Sequence, residues 1–266
     1  MQTIRAGDLV ALMDEEGTRT LVRAEGAPQK LRGVGILAGE RLVGFAWGAA
    51  FAHGSKTFRL LKPGVGDLTM GLARKAQIVL PKDASRILFE LGLGPGDRVL
   101  ESGIGSAGLT IPLCWAVGPT GRVVVQELRE EFADWGRANV EKAGLAAGLE
   151  VHLGDLTQGL APGVRGLFAA AVLDQPEPWL AIPYVVPVLA AGATVACYTP
   201  QVSQMEQASK ALAAAGFADV RQMELIERGW EVKERGSRPS FEGLGHTGFL
   251  VFGRWLGAPA PPRPVS

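Results

Sequence analysis

Apolar positions fall in two rhythms along the chain. Up to about Lys62 they come in short runs, Asp8–Met13, Thr20–Val22, Gly35–Leu37, Arg41–Gly44 and Thr57–Leu60, broken by glycines. Brief alternation between turn formers is the pattern of half-buried strands, and it predicts a small antiparallel β-unit. Beyond the turn-rich Pro63-Gly64-Val65-Gly66 the runs lengthen. Short helices are expected over Asp67–Ala73 and Ala84–Leu91, the second capped by Asp83. Then strand and helix alternate. Strands are expected over Arg98–Glu101, Arg122–Glu127, Leu149–Leu153, Leu167–Leu173 and Thr194–Tyr198, and helices over Leu109–Ala116, Arg129–Ala143, Ala181–Leu189 and Ser203–Ala215.

The unbroken apolar run Leu167–Leu173 requires burial on both faces, as in a parallel sheet. Strand alternating with helix builds an α/β, doubly wound, Rossmann-like sheet with right-handed crossovers. Val220–Val232 and His246–Trp255 are expected to close it as an antiparallel C-terminal strand pair around the loop Glu234–Gly245. The layout that follows is a small N-terminal β-domain over residues 1–64, an α/β domain over 65–257 and a disordered, proline-rich tail over 258–266.

Composition narrows the class without choosing a function. Hydrophobic residues make up 47% and charged residues 20% of the 266 positions, enough to build a core and too apolar for a disordered chain. Lys plus Arg and Asp plus Glu each total 27, so no overall basic field advertises a nucleic-acid binder. A local patch is open to two readings: Lys30, Arg32, Arg41, Lys56, Arg59 and Lys62, interleaved with Trp47 and Phe58, form either a solvated face or a contact surface for a polyanion. Cys114 and Cys197 alone exclude a disulfide framework and an all-cysteine metal site, and no metal is expected. The first residues lack a basic-then-apolar leader and no apolar run would span a bilayer, so a cytoplasmic protein without membrane attachment is expected.

The candidate chemistry gathers at Val99-Leu100-Glu101-Ser102-Gly103-Ile104-Gly105-Ser106-Ala107-Gly108-Leu109. A strand that stops at a glycine-rich turn and feeds a helix leaves backbone N–H groups open to a ligand. The spacing of Gly103, Gly105 and Gly108 fits a dinucleotide fingerprint and alone does not separate a nicotinamide cofactor from S-adenosylmethionine. Acids recur at the strand ends, where ligands sit in such sheets: Glu101, Glu127, Asp155 and Asp174. Glu127 is placed to accept ribose hydroxyls, and Asp155 to accept from an adenine amino group. Glu101, ahead of the turn, would repel a pyrophosphate and attract an ammonium group, which favours S-adenosylmethionine. A nicotinamide fold would also not predict the closing strand pair. In Asp174-Gln175-Pro176-Glu177-Pro178-Trp179 the prolines stiffen a loop at the end of a buried strand, which suits a substrate site.

Gln77-Ile78-Val79-Leu80-Pro81-Lys82-Asp83, the glycine loop Leu100–Thr110, Leu173–Trp179 and Gly245–Leu250 resemble, in order and spacing, successive blocks of the tRNA (adenine-N1)-methyltransferase family that acts on T-loop adenosine 58. The resemblance extends to the Arg5-Ala6-Gly7-Asp8 opening. It implies a class I methyltransferase fold, S-adenosylmethionine as cofactor, tRNA as partner and a homotetramer. Position by position, it implies cofactor contacts from Gln77, Glu101, Gly103, Ile104, Gly105, Ser106, Ala107, Glu127, Asp155 and Asp174, with Asp174 also catalytic. It implies a target-base pocket from Trp179, Tyr198 and His246, although the latter two also read as a core tyrosine and a satisfied histidine.

The chain departs from the family at Ile104 for a usual Thr, Ala107 for a usual Gly, and Leu80 and Gln126 for aromatic residues. Adenine N1 carries a lone pair, so methyl transfer needs alignment and a place for the positive charge more than proton removal. Asp174 can supply both to a flipped-out base. Two other functions fit the residues: a tRNA-binding homologue with little catalysis, motivated by the departures, and a methyltransferase with a non-tRNA acceptor, motivated by the neutral charge.

Overall fold

The computed structural model describes residues 2–257, so the tail expected over 258–266 lies outside the described residues. The chain divides into two compact units, one formed by the residues up to Ala73 with Glu141–Gly144, the other by Arg74–Val140 and the described residues from Leu145 onward.

The first unit holds β1 (Leu9–Met13), β2 (Arg19–Arg23), β3 (Gln29–Leu31), β4 (Gly35–Leu37), β5 (Ala50–His53), β6 (Lys56–Leu61) and the helix α1 (Val65–Met70). An antiparallel sheet in the order β2-β1-β6-β5 packs Val10, Leu12, Phe51, Phe58 and Leu60 into its core, and β3–β4 is a separate hairpin. Arg41–Gly44, expected as a strand, is not one: Gly39–Leu42 is a single 3-10 turn. Leu42 is the one side chain of this run that the core takes, and Gly39 must pass so close to the Arg23 carbonyl that an added Cβ would lie 1.9 Å from it. Phe58 is also core rather than surface, which removes it from the basic patch.

The second unit carries α2 (Pro81–Leu91), β7 (Arg98–Ser102), α3 (Thr110–Val117), β8 (Arg122–Glu127), α4 (Glu130–Lys142), β9 (Leu149–Leu153), β10 (Phe168–Leu173), α5 (Pro178–Val185), β11 (Leu189–Thr199), α6 (Val202–Ala214), β12 (Ala218–Glu224), β13 (Trp230–Lys233), β14 (Gly236–Pro239) and β15 (Phe249–Arg254). Seven of its strands form one sheet in the order β12-β15-β11-β10-β7-β8-β9. Those from β9 to β11 are parallel, and β15 is antiparallel to both its neighbours, β11 and β12. This is the doubly wound sheet with a closing antiparallel element that the apolar runs predict, and it is the class I methyltransferase fold that the family resemblance implies. The central strands are buried on both faces, as the fully apolar sequence of β10 demands. After β7 the chain steps to β8 and β9 on one side, and β10 returns to the other, so a crevice opens at the carboxyl ends of β7 and β10.

Four local expectations are corrected. Asp83 does not cap α2: Pro81 occupies the first helical position after Leu80, and Asp83 is wholly buried one turn in. The last strand pair is shorter than expected, with β12 ending at Glu224 and β15 starting at Phe249, so His246 lies in a loop. Between them β13, at the end of the segment expected as the first strand of the pair, and β14, in the segment expected as loop, pair as their own hairpin. A structureless stretch of that length is uncommon in a compact domain, and Trp230 and Val232 alternate as strand residues do. The helix α5 starts earlier than expected because Pro178 supplies a pre-set first position, and it stops at Val185.

Candidate active site

The glycine loop after β7 is fixed from both sides. Its N–H groups at Ile104 and Gly105 donate to Glu127 Oε2 at 3.0 and 3.5 Å, while Glu127 Oε1 accepts from the Arg129 N–H at 2.9 Å. From the other side residues 74–80 cross the loop. Ser106 Oγ accepts from the N–H groups of Lys75 and Ala76, both at 3.0 Å, and Lys75 Nζ reaches Glu131 at 2.7 Å. Gly108 permits the crossing, since a Cβ there would lie 2.4 Å from Ile78 Cβ. Gly103 has a different task. It takes φ +85°, and a Cβ on it would lie 2.5 Å from the Asp174 carbonyl oxygen, so only glycine lets the ends of β7 and β10 meet.

Two cavities open at this junction. The larger, about 420 Å³, is lined by Gly103, Glu127, Asp155, Thr157 and Asp174, within the ~300–1,000 Å³ typical of small-molecule sites. The second, about 290 Å³, is lined by Gln77, Ile78, Tyr198, Pro200, Thr247 and again Asp174. Asp174, Gln175 and Pro176 line both, and so form the wall they share.

Electrostatics single out the same place. Burial, with the Glu127 charge adding to it, pushes the Asp174 carboxyl up from 3.8 to about 7. Burial likewise holds the Glu101 carboxyl well above the usual range, with Asp174 and Glu127 raising it further. Its Oε2 is buried with no hydrogen-bond partner. Two buried carboxyls held above their usual range beside a third carboxylate, one of them with an unpaired oxygen, form a donor set that fits a cationic ligand. Glu127 and Asp155 on the wall of the larger cavity add acceptors for hydroxyl and amino groups. The residues present therefore fit S-adenosylmethionine.

The predicted site residues separate into three groups. Gly103, Glu127, Asp155 and Asp174 line the larger cavity, and Gln77, Asp174 and Tyr198 line the smaller. Glu101, Ile104, Gly105, Ser106 and Ala107 line neither and build the loop instead. Ile104 packs its side chain on Gly136 of α4, where an added Cβ would lie 2.5 Å from Ile104 Cγ1. Ala107 holds φ +63°, a left-handed conformation that a glycine would take without strain. Trp179 is half-buried in α5 and lines neither cavity. His246 stands beside the smaller cavity rather than in its wall, its Nδ1 2.6 Å from Glu224 Oε1 and its Nε2 2.9 Å from the Pro200 carbonyl.

Residue-by-residue reading missed several members. Gln175 lines both cavities. Gln126 Oε1 accepts from Ala161 N–H and its Nε2 donates to the Gly159 carbonyl, both at 2.9 Å, fixing the loop that carries Asp155. A buried network sets the far wall of the smaller cavity: Lys82 Nζ donates to Asp83 Oδ1 at 2.8 Å and Thr247 Oγ1 at 2.6 Å, and Thr247 Oγ1 donates to Asp83 Oδ2 at 2.7 Å. The Tyr198 hydroxyl donates to the Thr247 carbonyl at 2.7 Å, and burial with the nearby Asp83 and Asp174 charges pushes its pKa up to about 12. The Pro-Lys-Asp order was visible in the sequence, but its partner lies 164 residues away.

The family described as tRNA methyltransferase complex GCD14 subunit matches residues 58–237. The tRNA (adenine(57)-N(1)/adenine(58)-N(1))-methyltransferase TrmI of Methanocaldococcus jannaschii is 30% identical over 238 residues, covering 81% of this chain and 83% of that protein. The tRNA (adenine(58)-N(1))-methyltransferase TrmI of Thermus thermophilus is 32% identical over 209 residues, 78% of this chain and 81% of its own. Among solved structures, the tRNA (m1A58) methyltransferase TrmI of Aquifex aeolicus superposes with a TM-score of 0.76 at 26% identity, covering 97% of this chain and all of that one. A SAM-dependent O-methyltransferase of Thermotoga maritima superposes at 0.83 with 28% identity, covering 97% of both chains. The family match over most of the chain contains the first three of the four sequence blocks, and the relatives at 30% and 32% identity cover most of the chain as well: the chain belongs to the tRNA methyltransferase family of the GCD14 subunit and TrmI.

Proposed function

We propose that this protein is an S-adenosylmethionine-dependent methyltransferase that modifies N1 of adenosine 58 in the T loop of tRNA. The observation that carries the reading is the position of Asp174 on the wall between two cavities, one lined by the carboxylates Glu127 and Asp155 and the other by Gln77, Tyr198 and Thr247. S-adenosylmethionine supplies an electrophilic methyl group, which the N1 lone pair takes as the carbon–sulfur bond breaks with its electrons on sulfur and the positive charge passes to the base.

The chain's residues provide alignment and charge. Glu127 and Asp155 hold hydroxyl and amino groups in the larger cavity, and the buried Glu101, whose Oε2 has no partner, is left to accept from a cationic amino group. Ionised Asp174 accepts from the exocyclic amino group of the target adenine. This hydrogen bond orients the ring and strengthens as the base becomes cationic, so it favours the transition state over the ground state. Tyr198, kept protonated and tied to Thr247, forms the fixed far wall. Further parts of the proposal are cytoplasmic action and a homotetramer, both supported by the family resemblance alone.

A second reading is favoured by the name of the Thermotoga structure. A hydroxyl acceptor must lose a proton, and a carboxyl at about 7 suits a general base at neutral pH. Calorimetric titration with S-adenosylmethionine, followed by labelled-methyl transfer offered to an unmodified tRNA transcript and to catechol-type hydroxyl acceptors, separates them. Label in tRNA at adenosine 58 is expected. Label only in the hydroxyl acceptor supports the second reading, and absence of cofactor binding supports a tRNA-binding homologue without catalysis.

A further inference from the structure

Gln175 is the residue after Asp174, and it faces both cavities across the wall the two residues share. Its carboxamide is oriented from both ends. Nε2 lies 3.4 Å from the Glu177 carbonyl oxygen, a position that would repel the amide oxygen, and Oε1 accepts from the Ser102 hydroxyl. The contact to Glu177 is at the long limit for a hydrogen bond and engages one of the two amide protons, leaving the second to donate. The shared wall thus presents an acceptor, Asp174, beside a donor, Gln175.

We propose that Gln175 is a specificity-determining residue that reads N7 of the target adenine while Asp174 reads its exocyclic amino group. This rests on the proposed function above. The Hoogsteen edge of adenine pairs an amino donor with the N7 acceptor, the complement of a carboxylate beside a carboxamide N–H. Guanine places a carbonyl oxygen where adenine has the amino group, so it would bring an acceptor against Asp174 and be rejected. Using the Hoogsteen edge for recognition leaves N1 unblocked for the methyl group, whereas recognition through N1 would obstruct the reaction. Ser102 is a positioning residue in this scheme, because its hydroxyl holds the carboxamide in the donating orientation.

The test compares a ligated tRNA carrying 7-deazaadenosine at position 58 with the same tRNA carrying adenosine. Replacing N7 by C–H removes the acceptor and leaves N1 and the amino group in place. Wild-type kcat/KM is expected to fall roughly 2- to 10-fold on the 7-deaza substrate, the range of one net hydrogen bond. Gln175→Leu is expected to lower kcat/KM on adenosine by a similar factor and to treat the two substrates alike, with Ser102→Ala showing part of the same loss of discrimination. Equal wild-type rates on both substrates would overturn the proposal, as would discrimination retained in Gln175→Leu. The substrate comparison uses the unaltered protein, so a misfolded variant cannot obscure it. Failure of the wild type to methylate either tRNA would instead contradict the proposed function.

Discussion

Gly103 and Asp174 meet backbone to side-chain vacancy: the space a Gly103 Cβ would fill is taken by the Asp174 carbonyl oxygen, 2.5 Å from its ideal position. The Asp174 N–H in turn donates to the Ser102 carbonyl at 3.1 Å, so the loop that begins at Asp174 and the glycine loop share one joint. Gly103→Ala adds both a steric conflict and a left-handed alanine, the latter alone costing about 1–2 kcal/mol. We expect a folded but less stable protein with Asp174 displaced, and a loss of roughly 100-fold in kcat/KM, the scale of a misplaced reacting group. Urea unfolding and methyl-transfer kinetics on the variant check this; unchanged kinetics would show that the joint does not position Asp174.

Ile104 stands where the family usually carries a hydroxyl, and its side chain is accommodated because Gly136 leaves room for it. Gly136→Ala is expected to cost about 1–3 kcal/mol by overpacking. The cost should shrink by more than half in the Ile104→Ala background, where all three conflicting atoms, Cγ1, Cδ1 and Cγ2, are absent. A double-mutant cycle by denaturant unfolding measures this coupling, and additive effects would contradict it.

The acidity of Asp174 links activity to stability with opposite signs. Its carboxyl binds a proton up to about pH 7 in the folded protein, against an ordinary value of 3.8. The folded state holds that proton more tightly than the unfolded chain, so this group's contribution to stability declines as pH rises from about 4 to 7. Catalysis needs the ionised form, so kcat/KM should fall about tenfold per pH unit well below pH 7. Asp174→Asn should therefore be inactive and yet melt a few degrees higher at pH 8, on the order of 2–4 °C for each kcal/mol recovered. Differential scanning calorimetry at pH 5 and pH 8 checks the stability half, and a variant that melts lower at pH 8 would contradict it.

His246 has an acceptor at each ring nitrogen, Glu224 and the Pro200 carbonyl, and both raise its pKa above 6.5 by favouring the imidazolium. The clamp's contribution is fully present below about pH 6.5, its unfolded value, and is lost as pH rises through the higher folded value. His246→Gln should flatten the wild-type decline in melting temperature over pH 6–9. A variant whose pH profile parallels the wild type would show that the ion pair contributes nothing measurable.

Much of this architecture is legible in residue patterns. The apolar run of β10 and the acids closing β7, β8 and β10 mark a parallel sheet with its crevice, because burial on both faces and a polar strand end are local properties. The Lys82–Asp83–Thr247 network is not legible, since it joins segments far apart in sequence and the Pro-Lys-Asp order reads more simply as a helix cap. Gln126 looks like a departure until the structure shows its amide spanning to Gly159 and Ala161. Ser106 reads as a loop hydroxyl for a ligand, but its oxygen accepts from the backbone of residues 75 and 76. Glycine spacing shows that a tight turn exists, and not which neighbour each missing Cβ makes way for.

The central claim, that Asp174 carries transfer to N1 of adenosine 58, is tested most directly by single-turnover labelled-methyl transfer to an unmodified tRNA transcript. The measurement compares wild type with Asp174→Ala, locates the methyl group by nuclease mapping, and titrates S-adenosylmethionine into each protein calorimetrically. We predict a single 1-methyladenosine at position 58 from the wild type and none from Asp174→Ala, which still binds tRNA and the cofactor. Wild-type turnover by Asp174→Ala, or label at any other position, would contradict the account.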